Sequence, residues 1–218
     1  MAIIYTKKFS NGNRLALWEL TEEREQLEKD LQMDETELLQ YQQVTHPERA
    51  RQWLAARVCL KDLIGREGRK FKIVYNELRK PCSAEPGIFF SISHTRRYVS
   101  VIYGFTNELG LDIEYIHPRI FNIKEKFVTP EEETIFEGVT ELEKYHIIWG
   151  AKECLFKVYS EQKLDYKANL IIEQFSGAQN KGECTGAIRL ENKTIRYTVH
   201  YEIFEGHLLA YIIDTPLS

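Results

Sequence analysis

Apolar and polar positions alternate on either side of an Asn11-Gly12 turn signal, which predicts strands over residues 2–9 and 15–19. The pattern then turns helical. Thr21 is the predicted cap of a helix over 23–31, and residues 36–43 carry a second. Pro47 stands in the first turn of a stronger helix over 48–64, closed by Gly65, in which Trp53, Leu54, Val58, Leu60 and Leu63 recur near helical spacing. Residues 71–75 predict a short strand. The run from Lys80-Pro81 to Pro86-Gly87 predicts a loop. Residues 88–93 and 98–105 predict a hairpin turning at His94-Thr95-Arg96-Arg97, and 110–115 a further strand. Thr129-Pro130-Glu131-Glu132 has the cap, the first-turn proline and the acids of a helix N-terminus. The longest predicted helix covers 141–160, with Ile147, Ile148, Ala151, Cys154, Leu155, Val158 and Tyr159 as its apolar stripe. Strands near 170–175, 183–190, 194–204 and 207–213 follow.

A shift of 96 residues lays Trp53, Ala55 and Lys61 on Trp149, Ala151 and Lys157. Three matches are compatible with chance or with duplication. Under duplication the chain is α+β, with two similar halves over residues 1–105 and 106–218. Each half is a small, mostly antiparallel sheet on a long helix, and a cleft lies between them. Arg57 then stands where the second half has Glu153, so one half supplies mainly bases and the other acids.

The chain has 218 residues, 43% hydrophobic and 28% charged, which allows a true core and is unlike a disordered charged tail. No apolar run approaches the ~20 residues of a membrane helix. The opening segment lacks the layout of a signal peptide. Cys59, Cys82, Cys154 and Cys184 show no CxxC or Cys/His spacing and read as reduced thiols, which argues against a structural zinc site or a disulfide scaffold. A cytoplasmic protein without a membrane partner is expected.

Charge is uneven. Between Glu19 and Glu37 there are nine acids and two bases; between Arg49 and Arg97 there are twelve bases and four acids. The second stretch is either a solvated helix face with a basic hairpin, or a device that concentrates anionic ligands. Nucleic acid is not expected, because the net charge is −4 and no recognition motif is present.

Gly110-Leu111-Asp112-Ile113-Glu114 predicts a strand with Asp112 and Glu114 on one face. Glu153 and Lys157 are one helical turn apart and off the apolar stripe. Each group has an ordinary reading: solvated strand acids, and an i,i+4 ion pair. The sharper reading brings Asp112, Glu114 and Glu153 together. Three carboxylates without His or Cys form a hard-oxygen set suited to Mg²⁺, whose remaining ligands are normally water and phosphate. Lys157 would then steady charge on a reacting phosphate. Gly150, inside the helix, either permits close approach of a neighbour or is merely tolerated.

These residues resemble the two signatures of the 4'-phosphopantetheinyl transferase superfamily, and more closely its longer, surfactin-synthetase-activating type. The signatures are a Gly-x-Asp-x-Glu strand, here Gly110 to Glu114, and a Trp-x-x-Lys-Glu-x-x-x-Lys helix, here Trp149 to Lys157. Upstream, Phe90-Ser91-Ile92-Ser93-His94 is similar to the family's Ser-His turn and Lys80-Pro81 to its Lys-Pro element. The resemblance implies a single-chain pseudo-dimer, a monomer with its active site at the junction of the halves. It implies transfer of the phosphopantetheine arm of coenzyme A to a serine of an apo acyl or peptidyl carrier protein, with release of 3',5'-ADP. Asp112, Glu114 and Glu153 would hold Mg²⁺. Glu153 would also accept the serine proton, and Lys157 would neutralise the reacting phosphate. Ser93, His94, Lys80 and Arg51 would contact coenzyme A. Residues 121–127, with Lys124 and Lys126, are either a carrier-docking surface or a plain loop. Two other outcomes stand against this: a catalytically degenerate module that binds coenzyme A or a carrier, and an unrelated Mg²⁺ phosphohydrolase.

Overall fold

The computed structural model describes residues 3–65, 71–105, 108–159, 164–178 and 180–217. The chain divides into two compact units, residues 1–105 and 106–218. Among the described residues no helix is long and apolar enough to cross a membrane, and all four cysteines are free.

In the first unit β1 (Ile3–Lys8) and β2 (Arg14–Glu19) pair antiparallel. Helices α1 (Arg24–Leu31), α2 (Glu35–Gln42) and α3 (Pro47–Gly65) follow. A small hairpin comes next, β3 (Ile73–Tyr75) with β4 (Pro81–Ser83), and then β5 (Phe89–His94) and β6 (Tyr98–Gly104). The main sheet runs β1-β2-β6-β5, antiparallel throughout. Helix α3 packs on β2 and β6. Leu54, Ala55, Val58 and Cys59 share one apolar cluster with Ala16, Trp18, Val99 and Val101.

Three expectations change here. Thr21 does not cap α1, whose N-cap is Glu23 without a side-chain bond. The capped helix is α2, where Asp34 accepts from the Glu37 N–H at 2.8 Å and Glu37 accepts from the Asp34 N–H at 3.2 Å. Part of the predicted loop at 80–87 is β4, since a proline at the start of a short edge strand gives up no ladder bond. His94 is the last residue of β5, opposite Val99, rather than part of the turn.

In the second unit β7 (Gly110–Tyr115) leads through 3₁₀ turns at Pro118–Asn122, Lys124–Lys126 and Glu132–Thr134 into α4 (Glu141–Tyr159). Strands β8 (Leu170–Ala178), β9 (Lys181–Arg189), β10 (Thr194–Phe204) and β11 (His207–Ile212) complete an antiparallel sheet of order β7-β11-β10-β9-β8. On α4 the stripe residues Ile147, Ile148, Ala151, Cys154 and Leu155 are buried in the core, and Val158 and Tyr159 pack at its edge. Ser160, the last residue of the predicted helix, lies outside the described residues.

The helix predicted at Thr129 is only a 3₁₀ turn. Its reciprocal cap forms, with Glu132 accepting from the Thr129 N–H at 2.8 Å and Thr129 from the Glu132 N–H at 3.3 Å. Propagation stops because the Glu132 side chain is drawn into the core, where it meets the Lys152 ammonium at 2.8 Å and accepts from the Ile172 N–H at 2.8 Å.

The protein is α+β, and both units repeat one plan. A strand, a helix of 19 residues and a closing hairpin follow in order, and the first strand pairs antiparallel with the last. In the first unit these are β2, α3, β5 and β6; in the second, β7, α4, β10 and β11. The 96-residue shift lays β2 on β7 end to end. Under it Ala16 and Trp18, both fully buried, stand where the second unit has Asp112 and Glu114. The first unit keeps the plan and fills the acid positions with core.

Candidate active site

Helix α4 meets the sheet at two glycines, Gly110 of β7 against the helix and Gly150 of the helix against β11. A Cβ on Gly110 would stand 2.5 Å from the Cys154 carbonyl oxygen, and one on Gly150 would stand 2.7 Å from Leu208 Cδ2. The β11 residue opposite Asp112 is the small Ala210. Helix and sheet therefore approach closely, and the acid face of β7 lies under the polar edge of α4. Asp112 is buried, at 3% exposure.

Three predicted residues are linked there, and the fourth, Glu114, is held from the helix by Trp149. Lys157 Nζ is 2.8 Å from Asp112 Oδ1, donates to the Leu111 carbonyl at 2.7 Å, and is 4.0 Å from Glu153 Oε2. Trp149 Nε1 donates to Glu114 Oε1 at 3.3 Å. The Tyr166 hydroxyl donates to Glu153 Oε1 at 2.5 Å.

The electrostatics follow from burial. Desolvation, reinforced by the charge of Asp112, raises the Glu114 pKa to about 7 against the opposing Trp149 bond. Desolvation and Asp112 also raise Glu153, opposed by Tyr166 and Lys157. Burial works against the Lys157 ammonium, but the charge and hydrogen bond of Asp112 outweigh it and its pKa rises. Three carboxylates thus share a poorly solvated site with one ammonium, so a further cation would be welcomed there. The all-oxygen donor set fits Mg²⁺. Even so, among the described residues no three His, Cys, Asp or Glu side chains are arranged to hold a metal ion. It is Lys157 that bridges Asp112 and Glu153.

Two residues of the second unit escape sequence reasoning. Lys152, inside the helix signature, is fully buried and bound to Glu132 at 2.8 Å, to the Tyr166 carbonyl at 2.9 Å and to the Phe127 carbonyl. Burial depresses its pKa against the pull of Glu132. The available signal is its place next to Ala151 on the buried stripe, together with a capping glutamate that has a second partner. Tyr166 carries no signal, since it lies outside every motif. Lys124, on the segment that is either a carrier-docking surface or a plain loop, is partly exposed. It donates to the Tyr145 hydroxyl at 2.8 Å and lies 3.4 Å from Glu133. Lys126 is exposed.

In the first unit Ser93 is buried on β5 and His94 is exposed at its end. Arg51, in the first turns of α3, donates to the Leu20 carbonyl at 2.7 Å. Its neighbour Gln52 donates to the Thr95 carbonyl at 2.9 Å, which ties this end of the helix to the β5–β6 turn. Lys80 belongs to the separate β3–β4 hairpin, where its N–H donates to Asn76 Oδ1 at 2.9 Å.

The cationic stretch is partly consumed by the acidic one. Lys61 pairs with Glu37 at 2.8 Å, Lys72 with Asp34 at 2.8 Å and Arg97 with Glu19 at 2.9 Å. Arg57 is buried, stacked 3.4 Å over the Trp53 ring and donating to the Tyr75 hydroxyl at 2.9 Å. The charge blocks fold against each other, so the stretch attracts anions less than its composition suggests. Arg66, Arg69 and Lys70 lie outside the described residues.

Residues 108–212 match the ACPS family, described as the 4'-phosphopantetheinyl transferase superfamily. A relative is the 4'-phosphopantetheinyl transferase HetI of Nostoc sp. (strain PCC 7120), 27% identical over 124 residues, which cover 51% of this chain and 52% of HetI. The chain thus spans about half the length of the curated relative it matches. The match contains β7, α4 and the acids of the site, so it is residues 108–212 of the chain that are similar to the 4'-phosphopantetheinyl transferase superfamily.

Proposed function

We propose that the protein is a phosphopantetheinyl transferase of the surfactin-synthetase-activating type, which moves the 4'-phosphopantetheine arm of coenzyme A onto a serine of an apo acyl or peptidyl carrier protein. The observation that carries this reading is the Asp112–Lys157–Glu153 arrangement, 2.8 and 4.0 Å across, at the contact between strand β7 and helix α4.

The serine oxygen attacks the phosphorus that bears the pantetheine arm. The bond from that phosphorus to the bridging oxygen breaks, and 3',5'-ADP leaves with the electron pair. The serine proton goes to Glu153, whose pKa is raised toward a useful range for a proton acceptor. Lys157, held on Asp112, keeps a positive charge beside the reacting phosphate. Asp112, Glu114 and Glu153 would hold Mg²⁺, which when bound offsets the diphosphate charge and improves the leaving group. Trp149 orients Glu114 from the helix side. Ser93, His94, Lys80 and Arg51 are the proposed coenzyme A contacts of the first unit. Positioning and charge neutralisation dominate such transfers, so the site supplies held charges more than covalent chemistry.

The test is incubation with coenzyme A, Mg²⁺ and a purified apo carrier, read by intact mass. The carrier is expected to gain the arm, with matching release of 3',5'-ADP. Coenzyme A binding without mass gain across several apo carriers would favour a degenerate binding module. Phosphate release without any carrier would favour a phosphohydrolase.

A further inference from the structure

Tyr166 lies across the working face of α4. Its hydroxyl donates to Glu153 Oε1 at 2.5 Å. Its ring stacks on Trp149, with centroids 5.3 Å apart, and on Phe156, 5.5 Å apart. Trp149, Glu153 and Phe156 are spaced i, i+4 and i+7, so the tyrosine covers the one helical stripe that carries the acid.

Its placement does not depend on Glu153. The Tyr166 carbonyl accepts from the buried Lys152 ammonium at 2.9 Å. The preceding Asp165 accepts from the N–H groups of Lys167 at 2.8 Å and Ala168 at 2.7 Å, which closes a tight turn. Asn169, at the end of that turn, donates from Nδ2 to the Arg189 carbonyl at 2.8 Å and accepts from the Arg189 N–H at 2.7 Å, anchoring the turn to the sheet. The same Lys152 ammonium binds the Phe127 carbonyl, and the Phe127 ring meets Trp149 edge-on at 5.1 Å. The fully buried Lys152–Glu132 pair therefore holds the groups that flank both Glu153 and Trp149.

We infer that Tyr166 is a positioning residue that fixes the Glu153 carboxylate for the phosphopantetheine transfer proposed above, on which this inference rests. A glutamate has three rotatable bonds, and an unheld one samples several rotamers. The phenol binds Oε1 and leaves Oε2, the oxygen facing Lys157, to work on the substrate. Burial and the charge of Glu153 raise the phenol pKa, so it remains a donor.

Tyr166→Phe keeps both stacks and removes only the donor. With wild-type protein active, kcat for carrier modification is expected to fall about tenfold, the equivalent of one hydrogen bond. The KM for coenzyme A and the Tm are expected to be unchanged. Wild-type kcat in Tyr166→Phe overturns the inference, while an inactive Glu153→Gln beside it leaves the transferase reading standing. A fall in kcat with a matching fall in Tm assigns Tyr166 to structure and also overturns the inference. Should the wild-type protein transfer nothing, the transferase reading has failed. A calorimetric Mn²⁺ titration of the two proteins without substrate then decides on Tyr166: severalfold weaker binding in Tyr166→Phe supports the positioning role, and equal binding overturns it.

Discussion

Gly110 faces the Cys154 carbonyl so closely that a Cβ would stand 2.5 Å from its oxygen and 3.0 Å from the Cys154 Cα. Backbone meets backbone here, and neither can rotate away. The glycine that opens the strand signature is thus a packing requirement. It lets α4 settle on β7, and that contact places Lys157 over Asp112.

Gly110→Ala is accordingly expected to destabilise the protein by about 1–3 kcal/mol, read by urea unfolding. Gly150→Ala is expected to cost less. The nearest atom to its new Cβ is the tip of Leu208, which can move, and alanine returns about 1 kcal/mol of helix propensity. Equal losses at the two positions would refute this account of the helix–strand contact.

Lys152 is expected to act on stability, because its ammonium is fully buried against Glu132. Lys152→Met strands a buried carboxylate and is expected to cost about 3–5 kcal/mol. Adding Glu132→Leu should recover part of that loss, since an apolar pair leaves no charge unmatched. A double variant less stable than the single one would contradict the pairing.

Glu153→Gln should leave folding largely intact and abolish transfer, whereas Lys157→Met should impair transfer and also lower stability, because it strands the buried Asp112 carboxylate. Gln keeps the Tyr166 contact while losing the proton acceptor. Methionine keeps the apolar stem of Lys157 and removes the charge beside the phosphate. The measurement is arm transfer by intact mass, with circular dichroism melts as the folding control. Near-normal turnover in Glu153→Gln would remove its assigned role.

The metal-free protein should lose stability as pH rises through the Glu114 titration. Its folded pKa, about 7, lies above the unfolded value near 4.5, so the folded state holds the proton more tightly. That contribution is full below the unfolded value and is lost as pH climbs through about 7. Glu153 shifts in the same direction. His146, lowered chiefly by burial, acts in the opposite sense near its ordinary value, so the comparison needs a variant. Melts of wild type and Glu114→Gln in chelator, from about pH 5 to about pH 8, should diverge in favour of the variant as pH rises. Parallel curves would rule out a strained acid at this position.

The sequence alone determined the local features. Helical spacing identified α3 and α4, alternation identified most strands, and the same periodicities put Asp112 and Glu114 on one strand face and Glu153 and Lys157 one helical turn apart. The 96-residue shift, carried by three matched residues, anticipated the common plan of the two units. These signals are short-range, because periodicity and caps are written in neighbouring residues. Tertiary structure decided what long-range pairing controls. Glu132, read as a helix start, became the partner of a lysine 20 residues away. The basic stretch, which by its composition is either a solvated face or an attractor of anions, pairs Lys61, Lys72 and Arg97 with acids far along the chain. Tyr166 acquired a role only because a turn and a buried ammonium carry it back over α4. No local pattern encodes such contacts, since a side chain's partner is set by which surfaces the fold brings within a few ångströms, and burial then makes those few contacts strong.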